Sequence, residues 1–403
     1  MKILYRSLVG VGCIVALLCG LNGCMSQELK TALNNEDAQA VSQLIQNDPD
    51  DISGASLKDY KLRGLKLHDL IMRNVNMYNL DLQGAKLTNV TFEDCTLTGV
   101  DFSNSEFHNV RFMDTTLEPI GTTRYDVKET TFKNSLLDKV GFGDGSKLLD
   151  VLMHSLLKGS SIAIVDSTVA VVVEDHSFVF NDSYLDNLLI DRTDVKKGVA
   201  ISLSILGGGN VIIRDSSLID VDLYGLDAKN FIFENNRNSL LRVGGEIGNV
   251  KIAKNRNTWI AINGKIKEIS AIDNGGRDSG VGFRGEIDNV VVRDSDELSV
   301  DFARATIKKA KIFNCNNMND LELRHVVVED LELHSLDLKE INSAETLIKN
   351  LSIDDVVLKK RSWVRDTKVS NASINNFSIL PTIKYDELYE ETEGFWNGLL
   401  SKQ

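Results

Sequence analysis

Between Ala55 and Leu117 every fifth residue is large and apolar. The series is Leu57, Leu62, Leu67, Met72, Met77, Leu82, Leu87, Phe92, Leu97, Phe102, Phe107, Phe112 and Leu117. Two places before most members stands a second small or apolar residue, as at Ala55, Leu65, Val75, Ala85, Cys95 and Val110. The positions between are mostly Lys, Arg, Asn, Asp, Thr and Ser. Such a period is neither that of a helix nor the simple alternation of a flat strand. It suits a chain that turns a corner at each repeat and points two side chains inward per side. Four such sides close a rung of about twenty residues, and stacked rungs bury one continuous apolar column.

Gly84-Ala85-Lys86-Leu87-Thr88 and Gly99-Val100-Asp101-Phe102-Ser103 resemble the unit of the pentapeptide-repeat family, roughly Ala-Asp/Asn-Leu-x-x. The resemblance implies an all-β solenoid, a right-handed quadrilateral parallel β-helix. The motif is regular over 55–142, with Phe132, Leu137 and Phe142 prolonging the series past Pro119 and Val127 placed in the same register. Over 143–380 the five-residue signal degenerates while a step of about twenty persists. The pairs Val250/Ile252, Val290/Val292, Ala310/Ile312, Leu331/Leu333, Leu351/Ile353 and Ala372/Ile374 follow it, with a double step across the rung of Ile272. A second column reads Ile247, Ile266, Ile287, Ile307, Val327 and Leu347, with Val169, Leu188, Val211 and Phe231 as earlier members. A polar column of Asp215, Asn235, Asn274, Asp294, Asn314, Ser335 and Asp355 fits corners, because Asn and Asp tolerate left-handed backbone. The solenoid is thus expected over 51–380.

Both ends are expected to be capped by short helices. Leu29, Leu33, Val41, Leu44 and Ile45 give 24–50 an amphipathic pattern, suited to covering the open edge of the first rung. In 381–403, Leu388, Thr392, Phe395, Trp396 and Leu399 share one face at helical spacing. That segment reads as a cap on the last rung or as a docking helix, with Phe395, Trp396 and Leu399 as its contact residues.

Residues 1–23 read as a secretory signal: Lys2 and Arg6 precede a short apolar run ending Leu21-Asn22-Gly23-Cys24. The small residue before Cys24 resembles a bacterial lipobox, which implies cleavage before Cys24 and its lipidation. Asn22 departs from that pattern. Met25, not Asp, follows the cysteine, and the same rule then points to the outer membrane. Cys95 and Cys315 lie 220 residues apart, about 11 rungs or ~50 Å, beyond disulfide reach. They read as small core residues.

A formal net charge of −13 argues against binding nucleic acid by neutralising phosphates. No His-x-x-x-His or Cys-x-x-Cys spacing for zinc and no phosphate-binding glycine loop occurs. No cofactor or metal is therefore expected. The densest charged cluster is Arg293, Asp294, Asp296 and Glu297, crowded at one corner. The sequence reads best as a non-enzymatic, lipid-anchored envelope protein. It would reach the membrane through its N-terminal lipid and act as a scaffold for another envelope protein. The alternatives are a polysaccharide-active β-helix enzyme and an acidic duplex mimic of the gyrase-targeting pentapeptide kind. The export signal counts against the last.

Overall fold

The computed structural model describes residues 25–121, 128, 130–133, 135–143, 146–149, 151–154, 156–157, 160–165, 167–170, 179–183, 185–195, 200–205, 209–217, 220–379 and 389–401. The chain forms two compact units, one of residues 1–189 and 193–199, the other of 190–192 and 200–403. Each is a parallel β-solenoid.

In the first unit the rung is twenty residues. Leu57 pairs with Met77, Met77 with Leu97, and Leu97 with Leu117. Strands β1 (Lys66–Arg73) and β2 (Lys86–Glu93) pair Leu67 with Leu87 and Met72 with Phe92. All thirteen residues of the five-step series are buried, none more than 3% exposed. The corners explain the period. Asp59, Asp69, Asn74, Asn79, Asn89, Asp94, Asn104, Asn109 and Asp114 all have φ between 47° and 61°. Gly64, Gly84 and Gly99, at 59–74°, complete that five-residue series. Only Gly, Asn and Asp enter this region at low cost, so the polar fifth residue is as constrained as the apolar one. Stacked corners then bond to each other. The Asn79 carboxamide donates to Asp59 at 2.7 Å, Asn89 to Asp69 at 2.6 Å, and Asn109 to Asn89 at 2.9 Å.

Helices α1 (Gln27–Asn34) and α2 (Ala38–Asn47) close the first rung. Each starts on a side-chain cap: Ser26 accepts from the Leu29 amide, and Asp37 from that of Ala40. Leu29, Leu33, Val41 and Ile45 are buried. The free edge of the first rung meets three polar side chains. Gln46 donates to the His68 carbonyl at 2.7 Å and accepts from its amide at 3.1 Å, copying a neighbouring strand. Ser42 Oγ accepts from the Lys66 amide at 2.9 Å, and Glu36 from that of Lys61 at 3.3 Å.

Beyond Pro119 the rung lengthens while the five-residue register survives. Phe132 stacks on Phe102 across 30 residues instead of 20, with ring centres 5.2 Å apart. Within this longer step Ile120 and Lys128 form an antiparallel bridge. Ten is twice five, so the sequence period hides the excursion. Phe132, Leu137 and Phe142 return to the core, whereas Val127 lies outside the described residues. Phe92, Phe112 and Phe142 form an offset stack at 4.9 and 4.8 Å. Val169 pairs with Leu148, which pairs with Leu117. It therefore continues the column of Leu57, not that of Ile247.

The second unit is built from β3 (Asp220–Glu234), β4 (Leu240–Ala253), β5 (Trp259–Ile272), β6 (Gly275–Arg293), β7 (Ala305–Arg324), β8 (Val327–Ala344), β9 (Leu347–Arg365) and β10 (Lys368–Ile379). The rung of Ile272 is filled by Ile269 and Ala271, which pair back to Val250 and Ile252 and forward to Val290 and Val292. Its steps of 19 and 21 residues sum to forty, which is why it reads as one double step. Val211 and Phe231 belong to this first column, since Phe231 pairs with Val250. The second column passes from Ile307 to Val328 and Ile348. Val327 and Leu347 sit one place earlier and point outward, each 44% exposed. A one-residue shift changes the face.

The polar column also splits. Asp215, Asn235, Asp294, Asn314, Ser335 and Asp355 are left-handed corners as expected, with φ of 49–55°. In the Ile272 rung that place is taken by Asp273, and Asn274 points inward instead. There it joins Asn236 and Asn255 in a buried ladder. Asn255 Nδ2 donates to Asn274 Oδ1 at 2.9 Å and to the Phe233 carbonyl at 3.1 Å. The amides of Asn236 and Asn255 donate to the side-chain oxygen one rung on. Ser105, Thr115, Ser135 and Ser146 play the same part in the first unit. Glycine is needed where successive rungs approach closely: a Cβ on Gly264, at φ +149°, would stand 2.0 Å from the carbonyl oxygen of its partner Gly245.

Leu82 has Leu62 one rung before it and Phe102 one rung after, and all three are buried. Leu82→Asp is therefore expected to destabilise by several kcal/mol through an unpaired buried charge. Asn79→Asp, at an outward corner, loses the bond to Asp59 and sets two carboxylates together, partly offset by the Lys128 ammonium, and is expected to cost only about 1 kcal/mol. Equal melting temperatures for the two variants would contradict this register.

Candidate functional site

The outward side chains form straight columns, because parallel pairing puts like positions one above another. On one wall of the second unit Lys309 and Lys311 both reach Glu332, Lys309 at 3.0 Å. Burial raises the pKa of Glu332, but the hydrogen bonds and charges of Lys311 and Lys309 outweigh it and leave the carboxyl below its usual value. His334 lies 3.7 Å from Glu332 and 3.8 Å from Asp354. Asn350 and Asn371 continue a neighbouring column, donating to Asp330 and Asn350 at 2.7 and 2.9 Å. Earlier on that wall a shallow concavity of about 560 Å³ is lined by Ile232, Lys251, Ile272, Val291 and Lys311.

The candidate acid–base cluster is part of this lattice. Arg293 pairs with Asp294, and Asp294 accepts from Asn314 at 3.3 Å. Asp296 accepts from Asn317 at 3.4 Å, and Glu297 is a left-handed corner with φ 53°. Asp294 and Asp296 thus bond to side chains of the next rung. His68 lies 3.1 Å from Asp69, His108 3.3 Å from Asp138, and His325 3.1 Å from Glu345. No three His, Cys, Asp or Glu side chains converge to hold a metal among the described residues. Cys95 and Cys315 are free and buried, and burial is the main cause pushing both thiols up to about 11.

Cys24 lies outside the described residues. Helix α3 (Tyr389–Leu400) carries the three candidate docking residues. Trp396 is 5% exposed and Leu399 4%, while Phe395 is half-buried. The Trp396 indole N–H donates to Ser362 Oγ at 2.8 Å, and its ring packs on Phe377 with centres 5.0 Å apart. Ser362 follows Ile341 in an inward column. The indole thus takes the place of the next rung's core residue. Trp396 and Leu399 work as a cap and present no free docking face, because their apolar surface is already covered.

A feature the sequence reading missed is the edge of β10. Among the described residues this strand pairs on one side only, with β9. Its inward residues Val369, Ala372 and Ile379 are half-buried, whereas Ile348, Leu351 and Leu358 below them are buried. The clue in the sequence was a fall in charge density, discussed below.

Trp396→Ala is expected to lower stability by about 3–5 kcal/mol, the range for truncating a buried Trp. Chemical denaturation measures it, and an unchanged midpoint would detach α3 from the cap. Both thiols are expected to resist iodoacetamide at pH 8 in the native protein and to react at once after unfolding. Native labelling at the rate of free cysteine would contradict their burial.

Residues 65–142 match the family model described as "Pentapeptide repeat region". No curated protein matches the chain. Among solved structures a similar chain is PfbA, a surface adhesin of Streptococcus pneumoniae, at 9% identity over 89% of each chain. Its TM-score is 0.18, so it bears on neither fold nor function. Most of the five-residue column, from Leu67 to Leu117, and its left-handed corners from Asp69 to Asp114 fall where the family model matches, and this chain carries a pentapeptide-repeat region.

Proposed function

We propose that the protein is a non-enzymatic, lipid-anchored component of the bacterial envelope whose solenoid walls bind other envelope proteins. The observation that carries this reading is the lattice of outward columns. The Asn79–Asp59, Asn89–Asp69 and Lys309/Lys311–Glu332 contacts hold polar side chains in fixed order. A fixed surface loses little side-chain entropy when a partner docks, which favours recognition. The candidate acid–base residues Asp294 and Asp296 accept from Asn314 and Asn317 of the next rung, which gives them a place in the stack.

The anchor rests on the lipobox-like end Leu21-Asn22-Gly23-Cys24, and the outer membrane on Met25 after it. A lipid would hold the binding walls at one membrane surface, and a stable anchor would need a second acyl chain or an adjacent contact.

Chemical crosslinking in intact envelopes, followed by capture and mass spectrometry, is expected to return discrete protein partners. Capture of none would remove the scaffold reading. Purified protein that cleaves envelope polysaccharide, with the activity lost in Asp294→Asn, would replace it with the enzymatic one. Cys24→Ser is expected to move the protein from membranes to the soluble fraction. Intact-mass measurement of the wild type without added acyl mass would refute the anchor.

A further inference from the structure

Among the described residues the second unit ends at β10 with no strand paired beyond it, and what a further level would need can be specified. Strand β10 offers main-chain donors and acceptors along an edge that no described strand pairs. Its inward residues are Val369, Ala372, Ile374, Phe377 and Ile379. The two rungs below repeat the same spacing: Ile348, Leu351, Ile353, Val356, Leu358, and before them Val328, Leu331, Leu333, Leu336, Leu338. A further level would need apolar residues at the same places, three, five, eight and ten positions after the first. Three of the five inward residues of β10 are still half-exposed, so part of the core waits for that level.

Edges of this kind are normally guarded by charge, proline, a bulge or a covering helix. Here Lys368 is the only charged residue among the twelve of β10, while β9 carries seven. No proline falls within the strand. Helix α3 meets β10 through the Trp396 ring on the inward Phe377 and stands over Ser362 of β9, and no hydrogen bond joins it to the main chain of β10 among the described residues. The N-terminal edge of the first unit is treated in the opposite way, with Gln46, Ser42 and Glu36 bonding its main chain. The outward Asn371 and Asn375 donate back to Asn350 and Asp354. Each keeps a carboxamide oxygen that an asparagine of a further level can use.

We propose that the edge of β10 binds an extended, uncharged segment of a partner protein, which adds as the next rung by strand addition. The occupant is defined by the edge. Only an extended main chain satisfies the row of amides and carbonyls, the apolar spacing fixes its side chains, and the lack of charge selects an uncharged strand. A second copy joined end to end is disfavoured. Helix α3 has a diameter of about 10 Å, more than the ~4.8 Å between levels, and holds two such ends apart. This inference deepens the scaffold reading and rests on it.

The probe is a fluorescein-labelled, C-terminally amidated undecapeptide with the uncharged sequence of 369–379, VSNASINNFSI, added to the full-length protein. It is expected to bind saturably by fluorescence anisotropy and to slow amide exchange selectively in 368–379. Methylating alternate peptide nitrogens is expected to weaken binding at least tenfold, as is scrambling the apolar positions. Ala372→Lys in the protein, checked for an unchanged melting temperature, is expected to do the same. No saturable binding, or equal binding by the N-methylated or scrambled peptide, would overturn the proposal. If the peptide fails while envelope crosslinking still captures partners, the scaffold reading stands and this edge is not its site.

Discussion

The architecture depends on a left-handed residue at the corner. Parallel strands one rung apart can stay in register only if each rung closes on itself with the same length. In the first unit that closure is made by residues at φ of 47–74° every five positions, from Asp59 to Asp114. A β-branched or bulky side chain there would be strained, so each corner is Asp, Asn or Gly. The corner identity has a second consequence. Asn and Asp carry short polar arms, and parallel stacking puts them one above another. The strain that selects them thereby also creates the outer ladders.

How much of this the sequence displayed varies with the wall. The inward series from Leu57 to Leu117 was legible because both its period and its residue size are uniform. In the second unit the rung alternates among 19, 20 and 21 residues, as between Val250, Ile269 and Val290. A drift of one residue suffices to move Val327 and Leu347 outside, although both are apolar. Hydrophobicity alone cannot report which face a residue occupies once the count drifts. Asn274 failed for the related reason that an asparagine suits a left-handed corner and a buried ladder equally well. The excursion near Pro119 was invisible because its length is a multiple of the repeat. At the C-terminus the amphipathic face was legible, but pattern alone does not say whether that face meets its own chain or another. Trp396 over Ser362 answers it.

The inside of the solenoid is not purely apolar, and this has a physical cause. At a corner the chain turns away from the ladder, and main-chain amides there lose their strand partner. Unpaired and buried, each would cost about 1–3 kcal/mol. Ser105, Thr115, Ser135, Ser146, Asn236, Asn255 and Asn274 supply the missing acceptors from one rung away. Cys95 does so with its sulfur, which accepts from the Val75 amide at 3.4 Å. That role accounts for a buried thiol without redox chemistry, and it fits a pKa raised by the same burial.

Along a wall every level is satisfied by the level before and after it, so polar groups there have neighbours of known position. At a terminus one neighbour is absent by construction. The first unit resolves this with side chains that imitate a strand, Gln46 most directly, because a carboxamide carries the donor and acceptor that one residue of main chain would offer. The second unit resolves part of its terminus with an indole that replaces a core residue and an N–H that meets Ser362. A helix can fill an apolar opening but cannot pair a strand edge, since its own main chain is already bonded internally. Capping by α3 therefore satisfies the core on one side and leaves the hydrogen-bonding requirement of β10 in place. The surface with unmet main-chain valence among the described residues of that end is thus set by the kind of cap the chain uses.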